Sequence, residues 1–570
     1  MRKLLPSWLA GYQRSWLTGD LTAGMVVTVM LIPQSLAYAM LAGLPPEVGL
    51  YASVLPLLAY ALFGSSMALA VGPVAVASLM TASALAPVAS PGTPEYLTMA
   101  ILLALLSGVI LFVAGLLRMG FLAHFLSHPV ISGFISGSAV LITVGQLKYL
   151  LGMPLPSGSI VKTLSALPQQ LPQMNATTAT LGIAAFAFLL FSRLYLGKLL
   201  RQIGMPAKAS DLITKLAPMA AVIASTAVVA HYGLDQSAGV SIVGQVPAGL
   251  PALTLPTLDW QAMTMLLLPA ALISLVGFVE SVSVAQSLAF KRGQRIDPNR
   301  ELLGIGAANL ASALSGGYPV TGGFARSVVN FSAGAQTPAA GVISAVLMAI
   351  VIAGFTGGFH YLPHAVLAAT IIVAVTALID VDTLVDAWHY DKGDAISLLL
   401  TFFGVILLGV EEGILLGVVL SLAVLVWRSS HPHMAVVGRV PGTEHFRNID
   451  RHQVETLPGL VALRIDESLY FANAQVLESR IESLVQTHPG TRCILLILSA
   501  VNQLDSTALG ILTELEKSLA SRNISLQFSE VKGPVLDRLR PTPLGERMKD
   551  RIYLSTHQAF LAHTDSTVSA

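Results

Sequence analysis

Long apolar runs separated by short polar stretches fill the first three quarters of the chain. Many of these runs have about 20 residues, the length that an α-helix needs to cross the hydrocarbon core of a bilayer. Several others are short or rich in glycine, so a hydropathy count alone would miss them. The pattern predicts fourteen membrane segments, near residues 20–42, 48–63, 67–88, 97–117, 128–150, 176–196, 211–231, 262–289, 301–316, 322–334, 338–358, 362–379, 394–410 and 411–427.

After Trp427 the apolar runs give way to shorter elements and a higher density of charge. Gly459–Ile465 and Arg492–Leu498 have the composition of strands, whereas Asn473–Gln486 and Ser506–Ala520 have helical periodicity. The alternation predicts a small soluble α/β domain. The chain therefore divides into a cytoplasmic N-terminal segment (1–19), a membrane domain (20–427), a linker (428–458) and a soluble domain (459–570).

Composition narrows the class of protein. With 570 residues, 54% hydrophobic and only 11% charged, the chain is typical of a polytopic membrane protein. A net charge of +1 without a basic domain argues against nucleic-acid binding. Cys493 is the single cysteine, which excludes an intramolecular disulfide. No phosphate-binding loop, metal cluster or nucleophile triad stands out, so we expect no ATP-driven pump, no enzyme and no cofactor.

Charged loops predict the orientation of the membrane domain. Arg118 and the clusters Arg193–Lys215 and Lys291–Arg300 follow the fourth, sixth and eighth segments, so these loops and both termini should be cytoplasmic. His231–Trp260 lacks Lys and Arg, which suits the opposite side. Fourteen segments form two halves of seven, and an odd number per half inverts the second half. No cleaved signal peptide is expected. The segment around Trp8 should lie in the headgroup region or form a soluble tail.

Two apolar runs are interrupted by small residues at corresponding positions of the two halves. The interruptions lie at Val71–Ser78 and Tyr318–Ser327. Such breaks predict half-helices whose positive N-terminal ends meet near the bilayer midplane, where backbone N–H groups can hold an anion.

Two charged residues lie inside predicted segments. An ionised Glu280 in the uncharged stretch Leu266–Ala289 would cost roughly 3 kcal/mol or more, so it should be paired, protonated or both. It is either a proton-binding site or one partner of a permanent salt bridge to Arg326. Arg326 in turn should neutralise an anion by its field, or serve only as a partner for Glu280 or for backbone carbonyls.

Several motifs resemble those of the SulP anion transporters, and the resemblance covers nearly the whole chain. Three of them, close together at the start, are Asp20–Gly24, Ile32–Pro46 and Val48–Tyr51. Further matches are Leu126–Phe134, Arg326–Ser327, Leu378–Asp380, Trp388 and Lys392–Asp394. The soluble part resembles a STAS domain, including Asp505–Leu509 at a strand-to-helix turn.

The resemblance implies a polytopic α-helical fold of 7+7 inverted repeats, in which a core domain moves against a gate domain, and a homodimer. It places the substrate between the third and tenth segments, flanked by the first and eighth. The substrate-binding residues implied here are Gln34, Tyr38, Gly72, Pro73, Val74, Ala75, Gly323, Phe324, Ala325 and Arg326, with Glu280 as the proton-coupling residue. Gln34 and Tyr38 are four residues apart and so share a helix face.

The expected function is secondary active transport of sulfate or a similar small oxyanion across the inner (plasma) membrane, by proton symport and an elevator-type mechanism. Sodium coupling is less favoured, because Val284 follows Glu280 by one turn, although Ser283 and Thr321 leave it open. Bicarbonate, chloride and dicarboxylates remain alternative substrates, and a channel or a membrane-anchored scaffold for cytoplasmic STAS-binding proteins remains an alternative function. Asp505 should cap a helix, with phosphorylation of Ser506 as the less favoured role.

Overall fold

Two units make up the chain, with the division between Ser421 and Leu422. A computed structural model describes residues 6–124, 127–156, 160–253 and 259–568. Residues 1–5 of the predicted N-terminal segment, Leu126 of the Leu126–Phe134 motif and residues 569–570 of the predicted soluble domain lie outside the described residues.

The first unit is built from helices. Its α-helices are α1 (Ser7–Ala10), α2 (Leu17–Leu41), α3 (Pro46–Tyr51), α4 (Leu55–Phe63), α5 (Ala75–Leu85), α6 (Pro94–Leu116), α7 (His128–Leu151), α8 (Ile160–Gln170), α9 (Ala176–Phe191), α10 (Gly197–Gln202), α11 (Ala207–Tyr232), α12 (Leu234–Ser237), α13 (Trp260–Phe290), α14 (Pro298–Leu314), α15 (Phe324–Ser332), α16 (Ala339–Gly354), α17 (His364–Val375), α18 (Val381–Tyr390), α19 (Lys392–Leu407) and α20 (Val410–Ser430), the last of which continues beyond Ser421. Short 3₁₀ turns lie at Arg14–Trp16, Met119–His124, Leu171–Gln173, Thr356–Phe359 and Thr376–Leu378, and a π-helical turn at Ser192–Leu196 joins α9 to α10.

Nine helical stretches in the described residues are long and apolar enough to cross a membrane: Arg14–Leu41, Pro46–Phe63, Pro94–Leu116, His128–Leu151, Ala176–Gln202, Ala209–Tyr232, Trp260–Phe290, His364–Tyr390 and Val410–Ser430. The other five predicted segments correspond to the shorter helices α5, α14, α15, α16 and α19, of 11, 17, 9, 16 and 16 residues. Every predicted segment thus contains a helix, while fourteen membrane crossings stay a prediction.

The helices α5 and α15 are short because each begins only after a two-residue strand. The strands are β1 (Val71–Gly72) and β2 (Thr321–Gly322), and they pair antiparallel, with Val71 opposite Gly322. Because the paired strands run in opposite directions, the helices that continue them start side by side and leave in opposite directions. We call α5 and α15 the half-helices.

We call the place where the two half-helices start side by side the crossing. Closely packed helices lie beside it. A Cβ at Gly108 of α6 would lie 2.7 Å from the backbone N of Leu310, and a Cβ at Gly306 of α14 would lie 2.6 Å from the backbone N of Phe112. Only glycine permits such contact between backbones, as is common between helices in membranes. The α6–α14 pair is therefore a tightly packed support beside the half-helices.

The N-terminal segment is tied to these helices in its described part. Trp8 Nε1 donates a hydrogen bond to the Ala61 carbonyl at 2.7 Å, and the Tyr12 hydroxyl donates to the buried Asp20 carboxylate at 3.1 Å. The segment is therefore not a free soluble tail. The helix α2 begins at Leu17, slightly before the predicted start of the first membrane segment.

The C-terminal unit is an α/β domain with one six-stranded sheet. Its strands are β3 (Met434–Arg439), β4 (Phe446–Asn448), β5 (Leu460–Ile465), β6 (Cys493–Ile497), β7 (Ser525–Ser529) and β8 (Ile552–Tyr553), and its helices are α21 (Ala474–Thr487), α22 (Ser506–Ser521), α23 (Gly533–Leu539), α24 (Pro543–Met548) and α25 (Thr556–Val568). The sheet order is β4-β3-β5-β6-β7-β8, with β5 to β8 parallel. All five residues of β6 are buried, as expected of a central parallel strand.

Part of the predicted linker belongs to this sheet. The strands β3 and β4 form a hairpin inside residues 428–458, and β3 pairs antiparallel with β5. The strand β3 includes Gly438 and lies just after Pro432, and these residues obscured its strand character in the sequence. The β3–β4 hairpin extends the sheet beyond β5.

Candidate functional site

The guanidinium of Arg326 lies at the crossing of the two half-helices. Arg326 is in the first turn of α15 and is 2% exposed. Its Nε donates to the Ala70 carbonyl at 3.3 Å and its Nη1 donates to the Pro73 carbonyl at 3.1 Å, whereas the buried Nη2 has no protein hydrogen-bond partner. Arg326 thus binds backbone carbonyls just before α5 and keeps one donor free.

Two buried serines fix the strands at this crossing. Ser281 Oγ on α13 accepts a hydrogen bond from the Gly322 backbone N–H at 2.9 Å. Ser327 Oγ on α15 accepts from the Ala70 N–H at 2.9 Å, and the Gly323 N–H donates to the Ala70 carbonyl at 3.2 Å. In a continuous helix these backbone N–H groups would bond to carbonyls of the same helix. Here side chains from neighbouring segments accept their hydrogen bonds instead.

Two asparagines complete the support. Asn309 on α14 accepts from the Val320 N–H at 2.9 Å and donates to the Val320 carbonyl at 2.8 Å. Asn330 on α15 donates to the Ala68 carbonyl at 3.0 Å. The sequence does not single out Ser281, Asn309 or Asn330 as site residues. Their signal was an amide or hydroxyl inside an apolar run, which many helix-packing residues share.

A cavity of about 50 Å³ lies beside the crossing. A water molecule needs about 10–15 Å³ on this measure, so the cavity has room for a few waters or one small ion. The structure brings all the predicted site residues to its wall except Gly72. Its lining residues are Gln34, Tyr38, Pro73, Val74, Ala75, Val76, Glu280, Gly323, Phe324, Ala325, Arg326, Ala374, Val375 and Leu378. We call it the crossing cavity.

Gly72 lies behind the guanidinium rather than on the cavity wall. It has φ +152°, and a Cβ at this position would lie 3.3 Å from Arg326 Nη2. A Cβ at Gly323 would lie 3.2 Å from the same atom. The two glycines therefore flank Nη2 and leave it room. The sequence did not predict the contributions of Val76, Ala374, Val375 and Leu378, because apolar lining residues look like any membrane residue.

Besides Arg326, the cavity wall has three polar side chains. The amide of Gln34, the hydroxyl of Tyr38 and the carboxylate of Glu280 form no hydrogen bond to another described residue, although Tyr38 and Glu280 interact electrostatically with Arg326. Glu280 and Arg326 line the same cavity without forming an ion pair in the described part of the chain. The permanent salt bridge that the sequence left open is therefore absent from this arrangement. Free donors and an unpaired cation at helix N-termini make the crossing cavity suited to an anion.

In the C-terminal unit, Asp505 caps a helix. Its Oδ1 accepts from the Ala508 N–H at 2.8 Å at the start of α22, and its Oδ2 accepts from the Phe471 N–H at 2.8 Å. The predicted capping role of Asp505 is confirmed. His433 Nδ1 lies 2.7 Å from Asp466 Oδ2. No group of three or more possible metal ligands was found among the described residues.

Comparison with known proteins identifies the family of this chain. The model of the sulfate permease family matches residues 17–401, which include every residue of the crossing cavity. The chain belongs to the sulfate permease family. A STAS domain model matches residues 451–559, so the predicted resemblance is confirmed in both parts. The family consists of membrane anion transporters, not enzymes.

Relatives in this family extend over most of the chain. Sulfate transporter 4.1 of Arabidopsis thaliana, a chloroplastic protein, is 36% identical over 535 residues, which cover 92% of this chain and 76% of the relative. A probable sulfate transporter of Mycobacterium tuberculosis is 34% identical over 559 residues, which cover 97% of this chain and 96% of the relative.

Solved structures show the same fold. The murine Slc26a9 anion transporter in its inward-facing state matches with a TM-score of 0.88 at 22% identity, covering 99% of this chain and 94% of that one. The transmembrane domain of the cyanobacterial bicarbonate transporter BicA matches with a TM-score of 0.59 at 25% identity, covering 72% of this chain and 98% of that domain. The predicted fold class, a helical transporter domain followed by a STAS domain, is confirmed.

Proposed function

We propose that the protein is a secondary active transporter that carries sulfate, or a similar small oxyanion, together with a proton. The observation that carries the proposal is the crossing cavity, where Arg326 keeps a free buried Nη2 beside an unpaired Glu280. The names of the two relatives described above favour sulfate among the anions. In this proposal the anion binds in the crossing cavity and the proton binds to Glu280.

Anion binding would use groups that are already in place. The N–H groups at the first turns of α5 and α15 have no partners within their own helices, and both helix dipoles present positive ends there. Arg326 Nη2, the Tyr38 hydroxyl and the Gln34 amide add donors without a protein partner. Because these donors are fixed before the anion arrives, binding requires little rearrangement.

Proton coupling would follow from charge balance. An oxyanion of charge −2 and an ionised Glu280 together exceed the single positive charge of Arg326 in a buried space. A proton on Glu280 removes one negative charge, so the anion and the proton favour each other's binding, and the linkage is reciprocal. An ionised and unpaired Glu280 at this depth carries the cost of roughly 3 kcal/mol or more expected for charges in membranes. Symport therefore requires no further ionisable residue.

The walls of the crossing cavity suit an elevator movement. The polar lining residues come from α2, α13 and α15, whereas α17 and the turn after it contribute only apolar residues, Ala374, Val375 and Leu378. An apolar wall makes no hydrogen bonds that must break when the other side slides past it. We propose that the half-helices move with α2 and α13 against α17, in a homodimer located in the inner membrane, with cytoplasmic termini and with STAS-binding cytoplasmic proteins as possible partners.

The test is uptake of labelled sulfate into proteoliposomes of the purified protein, with and without an inward proton gradient. We expect the proton gradient to stimulate uptake at least threefold, and excess unlabelled sulfate to abolish it. Sodium and potassium gradients of equal size serve as controls for the coupling ion. Sulfate uptake that ignores the proton gradient would overturn symport. No sulfate uptake, with accumulation of labelled bicarbonate instead, would overturn the substrate and leave the anion site intact.

A further inference from the structure

A second cavity lies at the end of α13, away from the crossing cavity. It has a volume of about 200 Å³ and lies between the segment Ser65–Ala68 and the loop that follows α13. Its lining residues are Ser65, Ser66, Met67, Ala68, Leu288, Ala289, Arg292, Gln294, Arg295 and Ile296. We call it the Arg292 cavity. Leu288 is eight residues after Glu280, which is about 12 Å along an α-helix, so the two cavities are distinct.

The wall of the Arg292 cavity has two arginines and, among the described residues, no acid. Arg292 Nη2 donates to the Phe331 carbonyl at 3.4 Å and its guanidinium lies 4.2 Å from the Phe331 ring centre, but its buried Nη1 has no protein partner. Arg295 forms no ion pair or side-chain hydrogen bond within the described residues. Two cations that face one cavity with no acid among its described lining residues repel each other and favour an anion between them.

Three carboxylates near the Arg292 cavity accept hydrogen bonds from other groups, and one of them, Asp297, accepts from the Asn299 N–H at 2.9 Å. Asp20 accepts hydrogen bonds from the Gln336 N–H at 2.6 Å and from the Thr337 N–H and hydroxyl at 3.0 and 2.7 Å. Glu301 accepts from the Tyr60 hydroxyl at 2.8 Å, the Ser65 N–H at 2.9 Å and hydroxyl at 2.6 Å, and the Ser66 N–H at 2.9 Å. Asp20 acts on Arg292 electrostatically, but among the described residues it forms no ion pair with Arg292, since its oxygens accept these other hydrogen bonds.

The loop that carries the arginines has a fixed geometry. Gly293, three residues after the last residue of α13, lies in the left-handed region at φ +64°, and the Gln294 N–H donates to the Ala289 carbonyl at 2.9 Å. Such a C-terminal cap holds the following residues in place. Arg292 and Arg295 are therefore presented to the cavity by the backbone.

We propose that the Arg292 cavity binds a tetrahedral oxyanion, either free phosphate or sulfate or the phosphate of an anionic lipid headgroup. Paired guanidinium groups match the oxygen geometry of such anions, and 200 Å³ accommodates a tetrahedral anion with water. This site is separate from the crossing cavity, which we propose for the transported anion. The charges and contacts of this loop favour an anion whether or not the protein transports sulfate.

The single cysteine makes a site-specific test available. Cys493 is 2% exposed, so a Gln294→Cys variant carries the one reactive thiol among the described residues, on the cavity wall. We expect sulfate or inorganic phosphate to slow labelling of the purified variant by a neutral maleimide at least threefold, relative to chloride at matched ionic strength. Lys291→Cys, exposed on the same loop but off the cavity wall, should label at a rate that the anions do not change.

Further variants and lipids decide the outcome. Adding Arg292→Gln and Arg295→Gln to Gln294→Cys should abolish the protection, and Arg295→Gln alone should reduce it if the double variant does not fold. Protection by phosphatidic acid in neutral detergent micelles, without protection by free anions, would assign the site to a headgroup. Equal labelling rates in the presence of free anions, phosphatidic acid and chloride would overturn the proposal. Protection that Arg326→Ala removes would place the anion in the crossing cavity and overturn it as well.

Discussion

Arg326 Nη1 donates a hydrogen bond to the Pro73 carbonyl at 3.1 Å, and this contact joins the start of one half-helix to the start of the other. Pro73 lies shortly before the first residue of α5, Ala75, and its carbonyl accepts from the guanidinium. The same guanidinium presents Nη2 without a partner. Arg326 therefore has a structural and an anion-binding role in one side chain, and substitutions can separate the two.

Replacing Arg326 should impair anion binding in a graded way. We expect Arg326→Ala to raise the KM for sulfate at least tenfold, because hydrogen bonds to charged groups contribute about 1.5–3 kcal/mol. Arg326→Lys should retain the charge and lose the bridge to Ala70 and Pro73, with a smaller rise in KM. Initial rates of sulfate uptake measure both effects. An unchanged KM in Arg326→Ala would remove this residue from the site.

Replacing Glu280 should separate transport from pH. Glu280→Gln mimics the protonated side chain, so we expect uptake driven by a sulfate gradient to persist and its dependence on the proton gradient to disappear. Glu95→Gln, at an exposed position in the first turn of α6, is the matched control and should keep the proton dependence. The comparison of uptake at internal pH 7.5 and external pH 5.5 or 7.5 measures the difference. Full proton stimulation in Glu280→Gln would exclude Glu280 as the coupling group.

A methyl group at Gly72 should disturb the anion site, whereas a methyl group at an uncrowded position of another helix should not. Gly72→Ala places a Cβ 3.3 Å from Arg326 Nη2 and forces φ +152° on a non-glycine residue, a strain of about 1–3 kcal/mol. We expect reduced sulfate affinity and a lower Tm. Gly145→Ala on α7, where no atom lies within 4 Å of the added Cβ, should leave both unchanged or raise the Tm. Equal effects of the two substitutions would contradict this explanation.

Glu301 should be required for the stability of the crossing. It is fully buried and accepts four hydrogen bonds from Tyr60, Ser65 and Ser66, the residues that lead into β1. Glu301→Gln replaces an acceptor oxygen by a donor amide that faces other donors, and we expect a loss on the order of 3 kcal/mol. Thermal unfolding of the detergent-solubilised protein, with Glu95→Gln as reference, measures the loss. A Tm within 1 °C of wild type would show that the donors find other acceptors.

Asp466 should make the stability of the C-terminal unit depend on pH. Partial burial would raise the pKa of Asp466, but hydrogen bonds from Arg464 and His433 outweigh it and hold the pKa below its ordinary value. A carboxyl whose pKa is lowered by folding stabilises the fold above its unfolded pKa of about 4 and loses this contribution as pH falls through the folded pKa.

We therefore expect Asp466→Asn to destabilise this unit by roughly 1 kcal/mol at pH 7 and to flatten the loss of stability below pH 4. Hydrogen exchange of the β5 amides in the full-length protein reports on this unit. Asp450→Asn, at an exposed position without a side-chain partner among the described residues, should behave as wild type. Identical pH profiles for Asp466→Asn and wild type would refute the prediction.

Sequence patterns predicted the interrupted helices because Gly72, Pro73 and Gly322 break apolar runs visibly. They also predicted the neighbourhood of Arg326 and Glu280, since a charge in a membrane segment is conspicuous. The bond from Gly322 to Ser281 could not be predicted, because a serine in an apolar helix usually bonds its own backbone. The β3 strand escaped prediction because its pairing with β5 is a long-range choice that six local residues do not specify.

The antiparallel pair of β1 and β2 has a consequence for biosynthesis. The Ala70 N–H bonds to Ser327 Oγ, a residue 257 positions later in the chain. During synthesis, the first half-helix therefore enters the membrane long before the strand that completes it has left the ribosome. Until then its unpaired backbone groups need other hydrogen-bond partners, from the translocon, from water or from a membrane chaperone. Assembly of the anion site is thus a late folding event, and a stall between the two halves would leave α5 as the first element exposed to quality control.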